Sequence, residues 1–150
     1  MKLLIYRSEN YLPIDRMNIG LIDNNAYTFE DVFVKGTNVP GREIGHTRTL
    51  KKTVVEASLG QRGSIIIGNE KPPDLIKRFP NLESTLDTGI RSMLVVSLES
   101  STDLIGAIVI ASFKPSAYTD EHMEIIKRIS SKIIRRVTIL KGERTNLPPK

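Results

Sequence analysis

A chain of 150 residues with 39% hydrophobic and 26% charged side chains has the size and apolar content of one globular domain, which excludes a disordered polypeptide. Cysteine is absent, so disulfides, thiolate metal sites and a cysteine nucleophile are excluded, and a reducing cytoplasmic setting is expected. The formal net charge is +5, which raises the question of an acidic partner.

Residues 1–14 read as the end of a helix and a turn, with Pro13 barring continuation. Leu3-Leu4-Ile5-Tyr6 is closed by Arg7 and falls short of a signal-peptide apolar region. From Asp15 the pattern changes to period two, with Met17, Ile19 and Leu21 alternating with Asn18, Gly20 and Ile22, which predicts a strand. Asp23-Asn24-Asn25 is a turn cluster, and Tyr27 to Lys35 reads as a second strand completing an antiparallel hairpin. Gly36 to Gly45 holds three glycines and Pro40 and reads as loop.

Leu50, Val54, Val55, Ala57 and Ser58 recur at helical spacing and predict a helix over about Thr49 to Leu59, stopped at Gly60. Ser64 to Ile67 is a β-branched run and a predicted strand. Short helices are expected over Asp74 to Phe79 and Asn81 to Thr85, closed by Gly89. Ile90 to Leu98 and Leu104 to Phe113 are strands too apolar for a half-solvated position, so they belong at the sheet centre, covered on both faces. The second run is about half of the roughly 20 residues that cross a bilayer, so no membrane segment is expected.

Thr119 is a suitable N-cap for a final helix, Asp120 to Leu140, with Asp120 and Glu121 opposing the positive dipole end. This helix and the residue after it carry Lys127, Arg128, Lys132, Arg135, Arg136 and Lys141. No aromatic residues interleave with these charges, so they read as a solvated face, and nucleic acid is not an expected partner. After Gly142 the chain reads as a linker-like tail. The predicted organisation is therefore 1–14 helix end and turn, 15–141 domain and 142–150 tail. The fold class is α+β, a central, mainly antiparallel sheet of five or six strands with helices packed on it.

Three phrases resemble the GAF family of sensory domains. Asp15-Arg16-Met17-Asn18-Ile19-Gly20-Leu21-Ile22 is similar to the family's first strand. Gly89-Ile90-Arg91-Ser92, leading into Met93 to Leu98, resembles its penultimate strand, with Ser97 standing where proline is more usual. Leu104-Ile105-Gly106-Ala107-Ile108-Val109-Ile110, followed by Ala117-Tyr118-Thr119-Asp120-Glu121, resembles the last strand and the start of the closing helix. Gly106 has its own physical reading, since a glycine in a central strand permits close approach of a neighbour.

The resemblance implies a regulatory module within a larger signalling protein, attached to an output domain such as a kinase or transcription regulator. It also implies a bound small molecule, of a kind the sequence does not specify, and a homodimer, or alternatively a dimerisation module with no ligand. The family's free methionine sulfoxide reductases and thioether-held bilins need cysteines, which this chain lacks. Its cyclic-nucleotide signature is not matched by Ser112-Phe113-Lys114, Tyr118, His122 and Met123.

No catalytic constellation can be named, so no enzyme and no cofactor is expected. His46, in the glycine-rich loop, is a candidate contact to an anionic ligand, and His122 a surface or capping residue. Neither has a companion at metal spacing, and no metal is expected. Gly60-Gln61-Arg62-Gly63 lacks a Gly-Lys-Ser/Thr ending and reads as a helix stop and turn.

The resemblance places a pocket between the sheet and the segments Gly36 to Gly45 and Asn69 to Gly89. Its candidate lining is Phe33, Ile65, Ile67 and Phe79, with Arg91 as an anion partner. On the strand Ile90 to Leu98 either Ser92, Leu94 and Val96 or Arg91, Met93 and Val95 face it. Ile126, Ile129, Ile133, Val137 and Leu140 form an apolar stripe that either covers the sheet or serves as a dimer seam.

Overall fold

The computed structural model describes residues 12–100 and 103–145. The N-terminal helix end expected before residue 12 and the last five residues of the expected tail lie outside them.

The first strand, β1 (Arg16–Asp23), turns into β2 (Thr28–Gly36). The Asp23 carboxylate accepts from the backbone N–H of Asn25 at 2.9 Å and of Ala26 at 3.0 Å, an Asx turn of the kind its sequence predicts. The register slips between Ile19, opposite Phe33, and Gly20, opposite Asp31. One extra residue, Val32, is thus accommodated as a bulge that bends β2. The remaining strands are β3 (Thr47–Thr49), β4 (Ser64–Ile67), β5 (Ser92–Glu99) and β6 (Leu104–Ser112). They form one sheet in the order β3-β2-β1-β6-β5-β4, and every pairing is antiparallel.

Helices cover both faces, as the apolar runs of β5 and β6 require. On one face lie α1 (Val54–Leu59), α2 (Pro72–Arg78), a 3₁₀ turn (Pro80–Leu82) and α3 (Glu83–Asp87). Their buried cluster includes Val54, Phe79, Met93, Val95 and Val109. On the other face α4 (Asp120–Thr145) packs against Leu94, Val96, Ile108 and Ile110. Alternation along Met93 to Leu98 and Ala107 to Ala111 supplies both cores at once, odd-numbered residues to the first and even-numbered to the second.

Two helix boundaries differ from the pattern reading by more than two residues. The helix expected from Thr49 begins only at Val54. Lys52 has φ 58°, which breaks helical continuity. Thr53 then caps α1, its hydroxyl accepting from Glu56 N–H at 3.2 Å and donating to Leu50 O at 2.7 Å. Residues 47–49 pair with β2 instead. The helix expected to end at Leu140 runs through Gly142 to Thr145. A helical glycine costs only about 1 kcal/mol relative to alanine, and Lys141 anchors the last turns by donating to Leu104 O at 3.0 Å.

Gly106 does admit a close neighbour. A Cβ there would stand 2.0 Å from the Gly20 carbonyl oxygen on β1. Gly20 in turn seats the Phe29 ring, where a Cβ would stand 2.2 Å from the ring's far carbon. Gly106 thus admits the β1 backbone and Gly20 admits the Phe29 ring.

Candidate functional site

Strand alternation sends Arg16 and Asn18 of β1, with Phe29 and Asp31 of β2, to the face carrying the short helices. The edge strand β3 adds Arg48 beside them. The loop before β3 supplies Arg42, and α1, the 3₁₀ turn and α3 close over the top. Between them lies a cavity with about 60 Å³ of space open to water centres, several times what one water needs. Its floor and walls are apolar, chiefly Phe29, Phe79, Leu82, Met93 and Val109, and its polar end holds Arg16, Arg42 and Arg48.

Asp31 organises that end. It is wholly buried, and a buried carboxylate persists only when paired and hydrogen-bonded. Asn18 Nδ2 donates to its Oδ1 at 2.9 Å, and Arg48 donates to its Oδ2 at 2.5 Å. The Arg48 guanidinium also lies 5.1 Å from the Phe29 ring centroid, within cation–π range. The Asp31 main chain pins the loop, its carbonyl accepting from Gly45 N–H at 2.8 Å and its N–H donating to His46 O at 3.1 Å.

Arg16 is 4% exposed and donates to Thr37 O and Arg42 O, both at 2.8 Å. Arg42 donates to Asn81 O at 2.6 Å, tying the loop to the 3₁₀ turn across the cavity. Burial, reinforced by the Arg48 charge, pushes the Arg42 guanidinium down to about 10. Burial likewise lowers Arg16, partly offset by Asp31. Both remain cationic at neutral pH.

Beside the cavity, the Tyr27 hydroxyl donates to Glu56 Oε2, and Lys52 N–H donates to Glu56 Oε1 at 2.9 Å. These bonds favour the carboxylate, the Tyr27 bond most, and hold Glu56 below the usual carboxylate range. A lowered folded-state value means the contribution is full above the unfolded glutamate range and is lost as pH falls through the folded value. Tyr27→Phe is expected to cost about 0.5–1 kcal/mol at pH 7. That difference should shrink below the glutamate range, as urea unfolding at neutral and acid pH would check. An equal loss at both would detach the bond from Glu56 ionisation.

Of the nine residues the sequence offered as ligand contacts, Phe79 lines the cavity. Ile65 and Ile67 belong to the same buried cluster but stand on the edge strand away from the opening. On β5 it is Met93 that faces the cavity. Ser92, Leu94 and Val96 point to the α4 side, because strand alternation puts even-numbered residues there. Ser92 Oγ donates to Lys114 O at 2.6 Å, and Leu94 and Val96 pack under α4. The Arg91 guanidinium donates to Leu86 O at 2.8 Å and Ile90 O at 2.7 Å, fastening the end of α3. Phe33 is 40% exposed beyond the bulge, and the His46 side chain is exposed.

The five residues offered as a dimer seam all pack on the sheet, Ile126 and Val137 buried, Ile129, Ile133 and Leu140 partly so. His122 Nδ1 accepts from Thr119 N–H at 3.1 Å, and His122 N–H donates to Thr119 Oγ1 at 3.3 Å. Among the described residues no group of three His, Cys, Asp or Glu could hold a metal, and no helix is long and apolar enough to cross a membrane.

The arginines were missed although a signal was present. Arg16, Asn18 and Asp31 are polar residues at inward positions of apolar strands, and such residues mark a polar site in a core. Arg42 and Arg48 are set by loop geometry, which alternation does not report.

The antiparallel sheet thus carries a long helix on one face and a roofed cavity on the other. The family model described as GAF domain matches residues 8–136, and the chain belongs to that family. Solved structures agree in fold. The GAF domain of a two-component sensor histidine kinase from Bacillus halodurans is 16% identical, with 87% of this chain and 85% of that one covered and a TM-score of 0.67. A type II free methionine-R-sulfoxide reductase from Thermoplasma acidophilum is 15% identical over 87% and 83% of the two chains, TM-score 0.66. A GAF domain/HD domain protein from Geobacter sulfurreducens is 19% identical over 85% and 82%, TM-score 0.64. No curated relative matches the chain.

Proposed function

We propose that residues 15–141 form a non-enzymatic sensory unit that binds a small molecule in the arginine-lined cavity. In this reading the unit reports occupancy, through α4, to an output domain of a larger cytoplasmic signalling protein. The supporting observation is the cavity itself, an apolar chamber with convergent polar groups at one end, which is how small-molecule sites are built. A ligand that binds one arrangement of loop, sheet and helix better than another shifts their populations by that difference in affinity. A kinase output accords with the Bacillus halodurans relative, whose GAF domain belongs to a sensor histidine kinase.

A second reading is a homodimerisation module without a ligand. It draws on the exposed side of α4, where Ile139 is 54% exposed, since the apolar stripe is engaged with the sheet. A thermal-shift screen against nucleotides, cyclic nucleotides, amino acids and small carboxylates separates the two. A ligand at about 100 times its Kd adds about 2.7 kcal/mol, a rise of roughly 5–11 °C for a domain of this size. No shift across the panel, with a melting temperature that climbs with protein concentration, favours the dimer.

A further inference from the structure

Three guanidinium groups converge on the polar end of the cavity around one buried carboxylate, which leaves two positive charges without a buried counterion. Arg48 takes Asp31 as its ion-pair partner. Among the described residues, Arg16 and Arg42 have hydrogen bonds to backbone carbonyls but no ion pair with a carboxylate. Glu43, the nearest other carboxylate acting on them, is exposed and accepts from Gly41 N–H. Partly desolvated like charges repel more strongly than they would in water. An anion placed among them removes that repulsion and gains charge-assisted hydrogen bonds.

We propose, building on the sensory reading above, that the occupant is a small organic oxyanion, a carboxylate or phosphate ester carried on an apolar body. Its charged end meets Arg42, while its body lies on Phe29, Phe79, Met93 and Val109. Arg42 is the group free to exchange partners. Its contacts are carbonyl oxygens, and turning from Asn81 O to the anion leaves that carbonyl at an exposed position. Arg48 cannot do the same without orphaning Asp31, nor Arg16 without releasing the loop at Thr37 and Arg42. The exchange unties the loop from the 3₁₀ turn, so occupancy and loop attachment are linked.

The test uses four probes built on one ring, benzoate, phenyl phosphate, benzyl alcohol and benzylamine, titrated into the full chain by calorimetry. At least one anion is expected to bind about tenfold or more tighter than the alcohol and the amine, and to weaken at about 0.5 M salt. Benzoate against phenyl phosphate tells the carboxylate from the phosphate source. Arg42→Met should lose about tenfold or more in anion affinity and little for the alcohol. If that variant gives no cooperative melt, the wild-type charge series decides alone.

Benzyl alcohol or benzylamine binding as tightly as the anions overturns the oxyanion assignment and leaves the sensory reading standing. An Arg42→Met variant that keeps full anion affinity overturns the role of Arg42. No binding by either anion overturns the proposal. If the wider ligand screen is then also blank, the sensory reading falls with it.

Discussion

Asp31→Ala is expected to lower the unfolding free energy by about 3–5 kcal/mol, the usual cost of removing one member of a buried ion pair. Domains of this size hold about 5–15 kcal/mol in total, so the variant should be partly unfolded at body temperature. The loss has two sources that controls separate. Asp31→Asn keeps an acceptor for Asn18 Nδ2 but leaves the Arg48 charge unpaired, and should fall between wild type and alanine. Asp31→Ala combined with Arg48→Met removes the orphaned cation and should recover part of the loss, which a double-mutant cycle quantifies. Urea unfolding at low salt is the measurement. A loss under about 1 kcal/mol for Asp31→Ala would mean that the arginines gain little from this carboxylate.

Ile126→Asp should be at least as damaging. Ile126 is 3% exposed and sits where α4 meets the even-numbered side chains of β5 and β6. Losing a buried isoleucine costs about 2–5 kcal/mol, and the introduced carboxylate adds several more for desolvation. The expected result is a protein without a cooperative thermal transition. Ile133→Asp, on a partly buried position of the same stripe, should be milder and leave a folded domain of reduced melting temperature. Were α4 only a seam between two copies, both variants would stay folded as monomers, which gel filtration with circular dichroism would reveal.

The layered arrangement was legible because it depends on short-range pattern. Alternation in β1 and the unbroken apolar runs of β5 and β6 called for a sheet with two covered faces, and the turn at Asp23 to Asn25 fixed the hairpin. The cavity was legible only in its location. Alternation tells which residues of β5 share a face, but which face holds the cavity depends on where the chain crosses over, and the two alternatives stayed open until Met93 was seen inside. The residues least accessible to pattern are those whose meaning is a long-range partner. Asp31 reads as one acidic residue in a strand, and its burial makes sense only once Asn18 and Arg48 are beside it. The short edge strand at Thr47–Thr49 was missed, its last residue assigned to a helix, for the same reason, since its pairing with β2 outweighs local propensity.

The cavity and α4 never meet, for the sheet stands between them, and this has a mechanical consequence. The helix rests on the sheet from Ile125 to Lys141, about 17 residues or roughly 25 Å at the ideal rise. It is pinned at the far end by Lys141, which reaches Leu104 O at 3.0 Å and the Asp103 carboxylate at 3.5 Å. A helix so mounted is a lever. If the strands under its first turns twist by about 5°, Lys141 is carried through roughly 2 Å, enough to part it from Leu104. The strand that would do this is β6, whose Val109 looks into the cavity while its neighbours Ile108 and Ile110 bear on the helix. Gly142, where a Cβ would meet nothing within 4 Å, is the first point beyond that pin, and a spin label just past it would register the stroke.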